Sequence, residues 1–200
     1  MQKKYIVLGL STVLLCGSIH AQNGIYVTAD GGFANQSGLP DVQTSGALSL
    51  DNSRSLNAMR FGVGYNHDLN QLFGIGLDIG TGRYGDATYR YADRATTKVY
   101  SSTLEFLMTS NLHLQQTDLF AKAGGLRLTP KVSGMNAPEE DTQIRLEAAL
   151  GAAYNFTPHF AATLTYAHVF GSQVETIAHL GAQTPSLNEA LVGLRYTFAS

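Results

Sequence analysis

Apolar and polar residues alternate with a period of two along most of the chain beyond residue 23. Met59, Phe61, Val63 and Tyr65 share one parity, while Ala58, Arg60, Gly62 and Gly64 share the other. Phe73, Ile75, Leu77 and Ile79 likewise oppose Gly74, Gly76, Asp78 and Gly80. That period is the mark of a strand with two unlike faces. It predicts eight strands, at residues 24–35, 55–65, 71–83, 98–110, 118–129, 142–155, 159–171 and 186–198. Each has the length a tilted strand needs to cross a bilayer, roughly 9–11 residues plus an extension. The connections alternate too: 35–54, 84–97, 130–141 and 172–185 are long, and 66–70, 111–117 and 156–158 are short. Short turns at one end and long loops at the other predict an all-β fold, an eight-stranded antiparallel up-and-down transmembrane β-barrel.

The more polar face carries isolated mid-strand charges among glycine, alanine and threonine. A basic group held against lipid at mid-depth costs on the order of 2–4 kcal/mol, so this face is expected to line the lumen. It presents Asp30, Asp78, Glu105, Glu147 and Glu189 as acids and Arg60, Lys122, Arg145 and Arg195 as bases. An eight-stranded barrel is just wide enough for side chains to fill it. These groups are therefore expected to form buried ion pairs, with glycines making room for the long Arg and Glu chains. A turn centred near Leu69 sets Arg60 opposite Asp78, and one centred near Leu114 sets Glu105 opposite or diagonal to Lys122. In the fifth strand Leu126 and Leu128 have the opposite parity to Leu119, Ala121 and Ala123. A β-bulge at Gly124-Gly125 would restore the phase and keep Arg127 inward. Aromatics are expected in two belts, with Tyr65, Phe73, Phe160, Tyr196 and Phe198 at the turn side. Phe33, Tyr84, Tyr100 and Phe170 would mark the loop side.

The N-terminus assigns the compartment. Lys3 and Lys4 precede an apolar run at residues 5–15, and a short tail ends at Ala21. This is the layout of a cleavable signal peptide, 1–21, leaving a mature barrel domain, 22–200. The mature part has no cysteine, so disulfides and thiolate metal sites are excluded. Without Lys3 and Lys4, the 13 basic residues become 11 against 15 acidic ones, which argues against nucleic acid as a partner. Charged residues make up only 14% of the chain, against about 25% in typical soluble domains. Together with the strand pattern, this points to a protein that meets lipid.

The closing segment Gly193-Leu194-Arg195-Tyr196-Thr197-Phe198 resembles the C-terminal signal of bacterial outer-membrane barrels, with Gly193, Tyr196 and Phe198 at the matching positions. Leu191 and the trailing Ala199-Ser200 depart from that pattern. From residue 22 to 200 the chain resembles the small outer-membrane barrels related to the OmpA transmembrane domain. The resemblance implies an outer-membrane location and a lipid and lipopolysaccharide environment. It also implies recognition by the barrel-assembly machinery, and no periplasmic domain is expected after the eighth strand.

Catalysis is weighed against this. Some small outer-membrane barrels are lipid A deacylases, which place a His and a Ser two positions apart on one strand, with a Glu. The nearest set here is His168, Ser172 and Glu175, with Phe170 where the serine would stand. Residues four apart on a strand lie about 13 Å apart, too far for a hydrogen-bonded nucleophile and base. His67, His113, His159 and His179 are scattered without metal-ligand spacing, and the Gly-rich pairs lie inside strands, so no metal or cofactor is expected. The expected role is non-enzymatic, in envelope structure or surface contacts through the long loops. The alternatives are a lipid-modifying barrel of the lipid A deacylase kind and a soluble lipocalin-like binding barrel.

Overall fold

The alternating sequence folds into long antiparallel strands, and among the described residues short turns at 69–72, 115–116 and 156–159 join three pairs of them. The structure, a computed structural model, describes residues 23–36, 49–51, 56–90, 96–133, 142–177, 182–184 and 186–198. The expected signal peptide and most of the loop 35–54 fall outside them. Eight long strands among the described residues are β1 (Gly24–Gln36), β3 (Leu56–Asp68), β4 (Phe73–Arg90), β5 (Thr96–Leu114), β6 (Thr117–Ser133), β7 (Gln143–Asn155), β8 (Phe160–Val169) and β11 (Leu187–Thr197). Three short strands, β2 (Ser49–Asp51), β9 (Ser172–Ile177) and β10 (Ala182–Thr184), lie within the long connections. Each long strand pairs with its chain neighbour, and β1 pairs with β11, so the sheet closes on itself. Closure pairs the two outermost long strands with each other, which removes the open edges a flat sheet would present.

Turn chemistry sets the register. Between β3 and β4, the Leu69 and Asn70 amides donate to the Phe73 carbonyl, and the Asn70 side-chain oxygen accepts from the Leu72 and Phe73 amides. The hairpin is thus centred two residues later than its spacing suggests. Arg60 stands opposite Gly82, and Asp78 opposite Gly64, not opposite each other as expected. Between β5 and β6 the turn is the tight pair Gln115-Gln116, with Gln115 at φ 53°. It places Lys122 opposite Thr109 and Glu105 opposite Leu126.

The expected bulge at Gly124-Gly125 does not form, because β6 runs in unbroken register against both neighbours. Leu126 consequently points inward, 1% exposed, and Arg127 points outward. The irregularity lies instead in β4, between Tyr84 and Ala87. Beyond it the residues expected as a long loop at 84–97 continue as sheet. The strands run to Arg90 and resume at Thr96, with β2 added to the β4 edge.

The two faces separate sharply. Phe61, Ile79, Met108, Ile144, Leu150 and Val192 stand on the outer wall, 56% to 83% exposed, with Ile79 the lower value and Ile144 the upper. The charged side chains of the inner face are buried or half-buried. An apolar exterior around a charged interior is the reverse of the soluble lipocalin-like alternative. Of the expected aromatic belts, Phe33, Tyr65, Phe73, Phe160, Phe170 and Phe198 lie outside. Tyr84 does not: its parity in β4 places it inside the barrel, 2% exposed.

Candidate functional site

Three layers of side chains fill the interior from the loop end to the turn end. The first is apolar. Ala34, Ala58, Leu126, Val169, Leu187 and Leu191 pack around Tyr84, with Leu128 against them. Leu126 and Leu128 belong to it because β6 keeps its phase, which the sequence reading assigned to a bulge.

The second layer is centred on Arg60. Its Nη1 lies 2.6 Å from Glu147 Oε1 and 3.3 Å from Glu105 Oε2, and its Nε lies 2.9 Å from Glu189 Oε2. One guanidinium on β3 thus joins carboxylates from β5, β7 and β11, across the lumen. Tyr84 donates its hydroxyl to Glu105 Oε1 at 2.8 Å, and Thr103 donates to the same oxygen at 2.8 Å. A second node forms at Asp78. It accepts from Tyr26 at 2.6 Å, from Lys122 at 3.1 Å and from the Thr109 hydroxyl. Asp30 accepts from Thr163 at 2.8 Å. Arg145, nearer the loop end, donates to Gln143. The sequence-predicted lumen residues therefore share one interior, with exchanged partners: Arg60 serves the glutamates and Lys122 serves Asp78. The shift follows from the two turn registers.

The third layer, near the turns, joins the expected lumen residue Arg195 to Asp68, His113 and Asp118, which the lumen expectation did not include. Asp118 accepts from Arg195 at 2.6 Å and from Asn155 at 3.1 Å. His113 bridges two carboxylates, with Nδ1 2.8 Å from Asp118 and Nε2 3.1 Å from Asp68. Asn66 and Asn111 extend the network across β3 and β5. The missed signal was parity: Asp68, Asn66, Asn111, His113, Asp118 and Asn155 all continue the inward face of their strands to the ends.

Glycine makes room for rings more than for long chains. A Cβ at Gly64 would lie 2.3 Å from the Tyr26 ring, and one at Gly151 would lie 2.3 Å from the Phe120 ring. Gly193 leaves space for Asp30, while Tyr196 and Phe198 lie outside, stacked edge-on 5.0 Å apart, with Phe160 4.8 Å from Tyr196.

What remains open inside is small. A cavity of about 40 Å³ lies among Asp30, Arg60, Asp78, Glu105 and Lys122. That volume suits a few water molecules, whereas small-molecule sites run to about 300–1,000 Å³. His168, from the set weighed against a deacylase pattern, bonds Asn188 Oδ1 at 2.7 Å and packs edge-on against Phe170 at 4.6 Å. The side chains of Ser172 and Glu175 lie outside the described residues. Among the described residues, no group of three or more His, Cys, Asp or Glu is arranged to hold a metal ion.

The comparisons with known proteins agree with this architecture. The family model described as "Outer membrane protein beta-barrel domain" matches residues 10–198. Neisserial surface protein A superposes with a TM-score of 0.58 at 18% identity, over 90% of this chain and 100% of that one. The attachment invasion locus protein Ail of Yersinia pestis gives 0.55 at 13% identity, over 90% and 99%. The N-terminal β-barrel domain of Pseudomonas aeruginosa OprF gives 0.51 at 12% identity, over 88% and 98%. No curated protein sequence matches the chain.

Proposed function

This chain belongs to the outer membrane protein β-barrel family, and on that premise we propose that it is a non-enzymatic barrel whose rigid wall carries surface contacts at its loop end. The observation that carries this reading is the filled interior. An apolar plug and a cross-barrel ionic network leave, among the described residues, cavities of about 40 and 20 Å³, far below the volume of a small-molecule site. The elements left to act are those that project. β4 and β5 are 18 and 19 residues long, against 10 for β8 and 11 for β11, and β2 widens the sheet they form. Binding residues commonly sit on connections held by a rigid scaffold. Gly193, Tyr196 and Phe198 are read as the signal for the barrel-assembly machinery, and the signal peptide as the route of export.

The test compares three strains of the bacterium that makes the protein: parent, deletion, and one in which residues 85–96 are replaced by Asn-Gly. A surface role predicts that attachment to host cells falls in both altered strains. A structural role predicts increased sensitivity to detergent in the deletion alone. Unchanged behaviour of the deletion in both assays would contradict the proposal. A change in lipid A acyl chains on deletion would favour the enzymatic alternative instead.

A further inference from the structure

The outer wall carries few charges, and they are gathered in one sector. Among the residues whose side chains are described, every carboxylate lies on the inner face, and the Arg and Lys residues on the outer face are Arg83 and Arg127. Both stand near the loop end. Arg83 on β4 pairs with Ser102, Ser102 pairs with Thr129, and Leu104, one outward position further along β5, pairs with Arg127 on β6. Two strand spacings and one outward step put the two arginines on the order of 12 Å apart. The Arg83 guanidinium lies over the Tyr100 ring, 4.6 Å from its centroid. Arg127 Nη2 is 3.5 Å from Thr142 Oγ1, which is 3.4 Å from Thr129 Oγ1. Toward the loops, the ladder continues with Lys131 opposite Tyr100 and Lys98 opposite Ser133.

Toward the turns, the same sector becomes apolar. Leu104 and Ile144 flank Arg127 in register, Phe106 and Ile79 lie one outward step nearer the turns, and all four are exposed. The wall's turn end is unlike this strip, since its outward residues are aromatics such as Tyr65, Phe73, Phe160 and Phe198 together with aliphatics such as Ile25, Leu72 and Leu119. A band of guanidinium and hydroxyl groups directly above a greasy wall matches a lipid with an anionic head and acyl tails. Guanidinium groups favour phosphate through charge-assisted, often bidentate hydrogen bonds.

We propose that the outer faces of β4, β5 and β6 bind the phosphorylated headgroup of lipopolysaccharide between Arg83 and Arg127, with its acyl chains along Leu104, Phe106 and Ile144. This rests on the reading above, in which the barrel spans the outer membrane with its loop end outward.

The test is native mass spectrometry of the detergent-folded barrel with bis-phosphorylated lipid A, with dephosphorylated lipid A, and with inorganic phosphate as competitor. Arg83→Gln and Arg127→Gln change exposed side chains, and heat-sensitive gel migration verifies that each variant is folded. The parent is expected to retain bis-phosphorylated lipid A, and the double variant to bind it roughly 30-fold more weakly, about a 1 kcal/mol share for each arginine. Equal retention of dephosphorylated lipid A, or equal affinity in the double variant, overturns the site. Displacement by millimolar phosphate overturns the assignment to a lipid. A chain that never acquires the compact, heat-sensitive form overturns the membrane-barrel reading and the site with it. A folded barrel indifferent to phosphate overturns the site alone.

Discussion

Replacing Arg60 with methionine removes the cation that three glutamates share. Arg60 is 8% exposed, and the Glu147 and Glu189 side chains are 0% exposed. Its contacts to Glu147, Glu189 and Glu105 measure 2.6, 2.9 and 3.3 Å. Glu105 keeps Tyr84 and Thr103 as donors, but Glu147 and Glu189 lose the basic partner the guanidinium provides. Breaking a buried pair by deleting one partner costs about 3–5 kcal/mol, because the remaining charge stays buried. Methionine fills much of the volume and supplies no charge, so the loss is expected within that range. Glu189→Gln works in the opposite sense. It lowers the excess of acid around one guanidinium, and its expected cost is under about 1 kcal/mol. Adding Glu147→Gln and Glu189→Gln to Arg60→Met should recover at least half of the loss, a non-additivity expected of groups in one network. The assay is guanidinium unfolding of the vesicle-folded barrel, followed by far-UV circular dichroism because the chain has no tryptophan. Arg60→Met with the parent's stability, or Glu189→Gln as damaging as Arg60→Met, would refute the argument.

Other changes probe the parts around this centre. Leu126→Ala should cost about 2–5 kcal/mol by opening a hole in the plug, and Arg127→Ala next to it under about 1 kcal/mol, both read by the same unfolding titration. Gly64→Val should prevent formation of the heat-sensitive folded band on gels, because its Cβ would meet the Tyr26 ring at 2.3 Å. Gln115→Gly should stabilise by about 1 kcal/mol, since a non-glycine residue at φ 53° occupies the left-handed region, and an unchanged unfolding midpoint would count against that turn geometry.

The strands and their two faces were legible in the sequence because a period of two, interrupted by single charges, has one low-energy arrangement in lipid. Arg60, Glu105, Glu147 and Glu189 could be assigned inward one strand at a time. Their partners could not, because register depends on a few turn atoms. The Asn70 side chain, bonding the Leu72 and Phe73 amides, moves the β3–β4 pairing by four residues relative to the spacing argument. The leucines of β6 misled for a different reason. The apolar side chains of Leu126 and Leu128 suggest a lipid-facing position, yet the loop end of the lumen is itself apolar. There, continuity of phase was the stronger signal. Tyr84 was set in the aromatic belt on residue type alone, although its parity matches Gly80 and Gly82. The His113 network was missed because histidines near turns are ordinarily solvated, and here two carboxylates from β3 and β6 enclose the ring.

Which side of β7 touches lipid decides whether the ionic groups lie inside the barrel or against the acyl chains. The decisive measurement is a cysteine scan through residues 144–150 in a Cys16→Ser background, each site carrying a fluorophore, with the barrel folded into vesicles of brominated lipid. Quenching at 144, 146, 148 and 150 with protection at 145, 147 and 149 is the expected result. Quenching that is uniform along the segment, or strongest at the odd positions, would contradict a barrel with acyl chains outside and ionic groups within.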